Sequence, residues 1–258
     1  MTDERQRAPQ PESYGEEYFD RAYNLEGPNW REVNWWSVRF YARIAERLLR
    51  RRGGRRMLEI GCGLGFVLAR LERSFETFGI DLSPFAAEKA RRFSPRSRVF
   101  TADLTATLPE EIEGGGFDLI LARYVFEHLA DPAGALALAT RLLAPGGVLF
   151  YAVPDTTSPG VRLKGEDWYA YLDETHVSLL APDRWLELTR QAGLSVERTF
   201  SDGLWDVPYV RGIPRLMQYP IFSIPTIVSV ALTRPMIPVG WGENLIVVAE
   251  RPAGREPS

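Results

Sequence analysis

A chain of 258 residues with 45% hydrophobic and 25% charged side chains holds one substantial core, or at most two small ones. Its formal net charge of -3 and sequence pI near 5.6 supply no electrostatic reason to bind nucleic acid, which calls for a basic face. One cysteine, Cys62, excludes an intrachain disulfide and fits a reducing compartment, so a cytoplasmic location is expected.

The opening stretch MTDERQRAPQPES, residues 1–13, is charged and has no apolar run; it reads as a disordered lead-in and not as a secretory signal. The aromatic segment YGEEYFDRAY follows. WREVNWWSVRFYARIAERLLRR then sets Val33, Trp36, Phe40, Ile44 and Leu48 at helical spacing, so residues 14–53 read as an N-terminal helical segment. RRRGGRR, Arg50 to Arg56, is the one basic cluster, and its cations suit the negative pole of a helix end.

From there short apolar runs alternate with helical patterns. RMLEIG is a strand, followed by a glycine turn and a helix through FVLARLERS. FETFGID is a second strand, and SPFAAEKARRF a helix with Ser83 as N-cap and Pro84 in its first position. SRVFTAD is the third strand and FDLILA the fourth, after the turn EGGG. PAGALALATRLL is a helix stopped by APGG, and VLFYAVPD the fifth strand. This alternation predicts an α/β fold, a mostly parallel sheet with helices on both faces, whose ligands sit at the carboxyl ends of the strands.

The rhythm then changes. Asp155 to Leu180 is a long connection holding EDWYAYLDETHVS. APDRWLELTRQAG is a helix, LSVERTFSD a sixth strand and NLIVVAERP a seventh. Gly203 to Glu243 is far longer than a hairpin needs; its aromatic, apolar composition predicts a folded cover. Within it LMQYPIFSIPTIVSVALT, residues 216–233, carries no charge but two prolines and a glutamine. A spanning helix needs about 20 mostly apolar residues, so this stretch is expected to be a buried lid or a surface-seeking segment with weak membrane contact. RPAGREPS, residues 251–258, reads as a tail. One domain over 14–250 is expected, with a ligand-binding half at 55–153 and covers at 154–181 and 203–243.

Gly61, Gly63 and Gly65 lie between a strand and a helix, where glycine permits positive φ and close approach of a ligand. A dinucleotide fingerprint would need its third glycine where Phe66 stands, and a phosphate loop would need a lysine that is absent. Three acids mark the ends of successive strands. Glu59 sits two residues before the first glycine, Asp81 can accept from both hydroxyls of a ribose, and Asp103 can meet an adenine amino group. The constellation suits an adenosine with no pyrophosphate and a zwitterionic or cationic tail.

LEIGCGLGFVLARL, GIDLSPFAAEKAR, TADL, FDLILARYVFEHLADP and LLAPGGVLFYAVPD resemble the successive motifs of class I S-adenosylmethionine-dependent methyltransferases. The nearest likeness is to the branch of quinone-biosynthesis, small-molecule and sugar methyltransferases, over about Arg55 to Val153. The resemblance implies a Rossmann-like seven-stranded sheet and S-adenosyl-L-methionine as cofactor, with no metal. It implies that the turn Gly61, Cys62, Gly63 and Gly65 passes the methionyl part and that Glu59 lies near the amino-acid portion. Asp81 and Leu82 then hold the ribose, and Asp103 and Leu104 flank the adenine. Ala122 and Arg123 fall beside the methionyl group, and Tyr18 belongs to a segment that folds over the cofactor.

A sulfonium methyl is already electrophilic, so the protein must hold donor and acceptor in line and exclude water. A hydroxyl acceptor also benefits from a general base, and the only histidines are His128 and His176. Each can serve as that base or orient a loop by hydrogen bonding. Glu127 reads as a partner of a nearby backbone amide, and Cys62 as a small packed residue of the turn. Trp168, Tyr169 and Tyr171 can stack on an acceptor ring or fill the core. The expected reaction is O-methylation of a small hydroxylated acceptor, glycosyl or phenolic. The alternatives are C-methylation of a quinone or lipid-like acceptor, and a catalytically silent cofactor-fold module at a membrane surface.

Overall fold

The structure, a computed structural model, describes residues 11–23 and 30–254. In chain order the helices and strands are a 3-10 turn at Pro11–Tyr14, α1 (Glu16–Tyr23), α2 (Trp30–Arg52), β1 (Arg56–Ile60), α3 (Phe66–Leu71), β2 (Glu76–Asp81), α4 (Pro84–Phe93) and β3 (Arg98–Thr101). Then come α5 (Glu110–Glu113), β4 (Phe117–Arg123), a 3-10 turn at Phe126–His128, α6 (Pro132–Leu142) and β5 (Leu143–Pro154). The chain closes with α7 (Pro159–Lys164), a 3-10 turn at Gly165–Asp167, α8 (Tyr169–Leu172), α9 (Pro182–Gln191), β6 (Ser195–Phe200), α10 (Arg215–Phe222), α11 (Ile224–Leu232) and β7 (Asn244–Glu250).

The strands form one sheet in the order β3-β2-β1-β4-β5-β7-β6, with β7 antiparallel to both its neighbours and the rest parallel. Strands buried on both faces read as unbroken apolar runs, and the period of two then sorts their residues. Met57, Leu119, Leu121, Val148 and Phe150 pack under α2 and α3. Leu58, Ile60, Ile120, Leu149 and Tyr151 pack on the opposite face with residues of α6 and α9. The chain runs outward from β1 to β3 and returns beside β1 as β4, so a crevice opens where the strand order reverses.

Several expectations need correction. The lead-in does not extend to residue 13: Pro11–Tyr14 is a 3-10 turn, held because Ser83 Oγ donates to the Tyr14 carbonyl at 2.6 Å; residues 1–10 lie outside the described residues. Trp36 is not on the buried stripe of α2 but 45% exposed, with Arg39 stacked on its ring, because the stripe runs through Val38, Tyr41, Ala45 and Leu49; the Val33 side chain lies outside the description. APGG does not separate α6 from β5. The strand starts at Leu143 and absorbs these residues in a register shift opposite Phe117 and Leu119. The tail begins later than expected, since Arg251 donates its amide to the Gly147 carbonyl and its guanidinium to those of Thr140 and Leu143; residues 255–258 lie outside the described residues. The segment 216–233 is no buried lid: it forms α10 and α11 with their apolar residues in solvent. No described helix is long and apolar enough to cross a membrane.

Candidate cofactor and acceptor site

β1 delivers the chain into the turn at Gly61, Gly63 and Gly65, all at positive φ (63°, 51° and 78°). The bareness has two distinct causes. A Cβ on Gly61 would lie 2.4 Å from Val125 Cγ2, and one on Gly65 would lie 2.9 Å from Cα of Ala90, where α3 and α4 pack together. Asp81 at the end of β2 clamps the turn: Oδ2 accepts the Gly63 N–H at 2.7 Å and Oδ1 the Ser83 N–H at 2.9 Å. Burial pushes its carboxyl upward from the ordinary range, and the two amides pull it back.

Above the turn lies a cavity of about 460 Å³, within the range of small-ligand sites. Gly61, Gly63, Asp81, Leu82, Asp103, Leu104, Arg123, Tyr18 and His128 line it. Of the other residues expected at a cofactor, Cys62 is turned into a cluster with Leu68, Ala87, Ala90 and Val99, away from the cavity. Gly65 is the N-cap of α3, and Ala122 is buried in the sheet. Glu59 sits beneath the lining, 1% exposed. Its oxygens have no hydrogen-bond partner, and the nearest cation, Arg123 Nη2, stands 3.6 Å away. Desolvation pushes the Glu59 carboxyl up to about 7 against the pull of Arg123. A buried carboxylate so thinly paired carries a desolvation cost that its one nearby cation offsets only in part. Asp103, beyond β3, is exposed, and its Oδ1 accepts the N–H and hydroxyl of Thr105, both at 2.7 Å.

The two histidines, 48 positions apart in the sequence, come together with ring centroids 4.6 Å apart. Thr175 Oγ1 donates to Asp173 Oδ1 at 2.5 Å, so His128 Nδ1 must donate to Thr175, whose Oγ1 and carbonyl lie at 2.9 and 3.2 Å. His176 Nδ1 donates to the Ala170 carbonyl at 2.8 Å. Neutral His128 thereby keeps Nε2 as its acceptor nitrogen, while His176 Nε2 stands 3.8 Å from Asp173 Oδ2. Burial first, and His176 second, push the pKa of His128 down to about 4. Glu127 departs from expectation. Its main-chain carbonyl accepts the amides of Val177 and Ser178 at 3.0 and 2.9 Å, while its carboxylate is buried without a hydrogen-bond partner. Glu127, His128 and His176 bring one potential ligand atom each within 4.8 Å of one another, a donor set that divalent transition ions accept.

Sequence reasoning missed a second polar group beside the cavity. Tyr124, at a left-handed φ of 56°, lines the cavity next to Arg123. Its hydroxyl meets that of Tyr41 at 3.2 Å and Asp202 Oδ2 at 3.3 Å, and Asn244 Nδ2 donates to the same Asp202 oxygen at 2.6 Å. Asp202 Oδ1 is buried and unpartnered, and desolvation pushes the carboxyl up to about 7. The signal was available: Asp202 follows β6, an acid at a strand end like Asp81. Trp168 is core and not a stacking platform, fully buried with Nε1 donating to Glu243 at 2.6 Å. Tyr169 donates to Asn244 Oδ1 at 2.5 Å, and Tyr171 is exposed.

The family described as Methyltransferase domain matches residues 30–199. The chain is 32% identical over 150 residues to the ubiquinone biosynthesis O-methyltransferase of Cereibacter sphaeroides, covering 55% of this chain and 60% of that one. It is 32% identical over 154 residues to the trans-aconitate 2-methyltransferase of Methylobacterium radiotolerans, covering 54% and 58%. The aligned parts span 36% to 64% of the lengths of such curated relatives. The fold is shared with the magnesium protoporphyrin IX methyltransferase of Synechocystis PCC 6803, solved with S-adenosylhomocysteine, at a TM-score of 0.62 and 14% identity over 93% of this chain and 97% of that one.

Proposed function

The chain belongs to the class I S-adenosylmethionine-dependent methyltransferases, and on that footing we propose that it methylates an oxygen of a small hydroxylated acceptor. The observation that carries this reading is the single cavity joining the glycine turn, Asp81 and Asp103 to the imidazole of His128. S-Adenosylmethionine, when bound, supplies the electrophilic methyl. Asp81 and Leu82 hold the ribose end, and Asp103 with Leu104 flanks the adenine. Glu59, with its unpartnered oxygens, answers the ammonium of the amino-acid end, and Arg123 answers its carboxylate. The backbone of Gly61 and Gly63 forms the wall that lets the sulfur end pass close.

His128 lines the cavity with Nδ1 committed to Thr175, and it is neutral at pH 7 because its pKa lies near 4; its free nitrogen, Nε2, takes the proton of the acceptor hydroxyl. A base of such low basicity suits a phenol, whose hydroxyl titrates near 10, far better than a sugar alcohol. The ubiquinone biosynthesis O-methyltransferases among the relatives also support oxygen as the receiving atom. The test is incubation with labelled S-adenosylmethionine and a panel of phenols and glycosides, with products located by mass spectrometry. A phenolic ether is expected. His128→Asn should lower kcat by about 100-fold while the affinity for S-adenosylhomocysteine stays put. A C-methylated product, or a His128→Asn enzyme as fast as the wild type, would overturn the assignment.

A further inference from the structure

The insert between β6 and β7 folds with its polarity reversed. Helices of water-soluble proteins turn their apolar stripe to the core. In α10 and α11 the buried residues are Gln218 and Ser229, with Ser223 between the helices and Thr233 just after α11 also buried, while Leu216, Met217, Ile221, Ile224, Ile227 and Leu232 are each more than half exposed. Of the seventeen exposed large hydrophobic residues among those described, twelve lie between Trp205 and Trp241. A patch of that extent marks an interaction site.

Gln218, Ser229 and Thr233 are committed by hydrogen bonds that hold the hairpin with its apolar face outward. Gln218 Oε1 accepts the amides of Tyr209 and Val210 at 2.7 and 3.0 Å, and its Nε2 donates to the carbonyls of Val210 and Ile213, both at 2.8 Å. Ser229 donates to the Arg234 carbonyl at 2.6 Å. Arg39 and Arg47 of α2 reach across to the Ala231 carbonyl at 3.2 Å and the Thr233 hydroxyl at 2.7 Å, fixing α11 against the body of the protein.

Charge selects the occupant. Val207 to Gly242 contains Arg211, Arg215 and Arg234 and no acid, a net charge of +3 in a chain of net -3, which leaves -6 for the rest. A second copy docked on this face by two-fold symmetry would bring six arginines together, while the two acids that bound the stretch are engaged elsewhere, Asp206 with Lys164 and Glu243 buried among Ser158, Trp168 and Tyr209. An anionic lipid surface attracts this face and repels the remainder of the molecule, and so orients it. Pro220 and Pro225 keep both helices short, so they can lie along the interface while no described helix is able to cross it. We propose that the α10–α11 hairpin is an interfacial anchor that seats this protein on an anionic phospholipid bilayer, isoleucines and leucines in the acyl boundary and arginines among the headgroups.

The test is sedimentation of the full chain with phosphatidylcholine–phosphatidylglycerol vesicles and with phosphatidylcholine alone. The wild type should pellet with the anionic vesicles and be released by high salt. The Ile221→Glu/Ile227→Glu variant should bind at least about tenfold more weakly, with unchanged affinity for S-adenosylhomocysteine reporting an intact fold. The Arg215→Glu/Arg234→Glu variant should lose the preference for anionic lipid, at about fivefold per arginine. A wild type that stays in the supernatant with anionic vesicles overturns the proposal, as does an isoleucine variant that binds as well as the wild type. A stable dimer in light scattering that the same isoleucine variant converts to monomer would also overturn it, by assigning the face to a second copy.

Discussion

Glu59 has its chemistry set by burial before any ligand arrives. With its carboxyl raised to about 7 and Arg123 at 3.6 Å, it is half protonated at neutral pH. A protonated carboxyl does not attract an ammonium group, so cofactor affinity should climb with pH, by at most about tenfold per unit below 7, and level off above it. Calorimetric titration with S-adenosylhomocysteine across that range measures this, and Glu59→Gln should flatten the profile. A flat profile in the wild type would remove Glu59 from the site. Position alone marked Glu59, Asp81 and Asp103 as acids at adjacent parallel strand ends; Asp81 and Asp103 line one cavity and Glu59 lies beneath it. What position could not convey is that Asp81 spends both oxygens on the amides of Gly63 and Ser83. That depends on the path of the turn, which no local pattern encodes.

Elements with a strict period were readable: all seven strands and the helices around them fall where alternating apolar runs place them. Failures came where tertiary contacts override local signals. APGG looks like a stop, but Gly146 at φ 76° donates to the Arg251 carbonyl at 2.8 Å and the bulge keeps it in the strand. The two long connections, 155–180 and 203–243, stood out by their length, yet their joint did not, because it gathers side chains from three distant segments. Trp168 and Ser158 donate to Glu243 Oε2 at 2.6 and 3.0 Å, and the Tyr209 hydroxyl donates to Oε1. Glu243→Ala strands three buried donors at once, and loss of a buried charged partner costs about 3 kcal/mol or more. Limited proteolysis should then cut within 155–180 and 203–243 while the sheet persists as a resistant core. Cleavage no faster than in the wild type would show that the covers hold without this joint.

For the molecule as a whole, the buried titratable groups gather at the ligand end of the sheet, and they pull stability in opposite directions with pH. Glu59 and Asp202 each have a folded pKa of about 7, above the ordinary values of 4.5 and 3.8. The folded state therefore holds their protons more tightly than the unfolded chain. Their effect is most favourable below pH 4 and is lost as pH rises to 7, by about 3 kcal/mol for Glu59 and about 4 kcal/mol for Asp202 at 1.36 kcal/mol per unit. His128 works the other way: its folded pKa near 4 lies below 6.5, so its contribution is lost as pH falls from 6.5 toward 4. The ligand-free protein should accordingly melt highest at mildly acidic pH and lose stability toward pH 8. Asp202→Asn tests this without disturbing the cavity wall, since an amide oxygen still accepts from Asn244 and Tyr124 while its NH2 takes the place of the unpartnered Oδ1. Thermal melts should show the variant more stable than the wild type at pH 8, by a margin that narrows steadily as pH falls and closes near pH 4. A variant destabilised at pH 8 would mean that Asp202 is ionised and paired in the folded protein. The alkaline loss is the stability this fold forgoes to keep two incompletely partnered carboxylates buried near the cavity, and natural proteins commonly sit below their stability optimum.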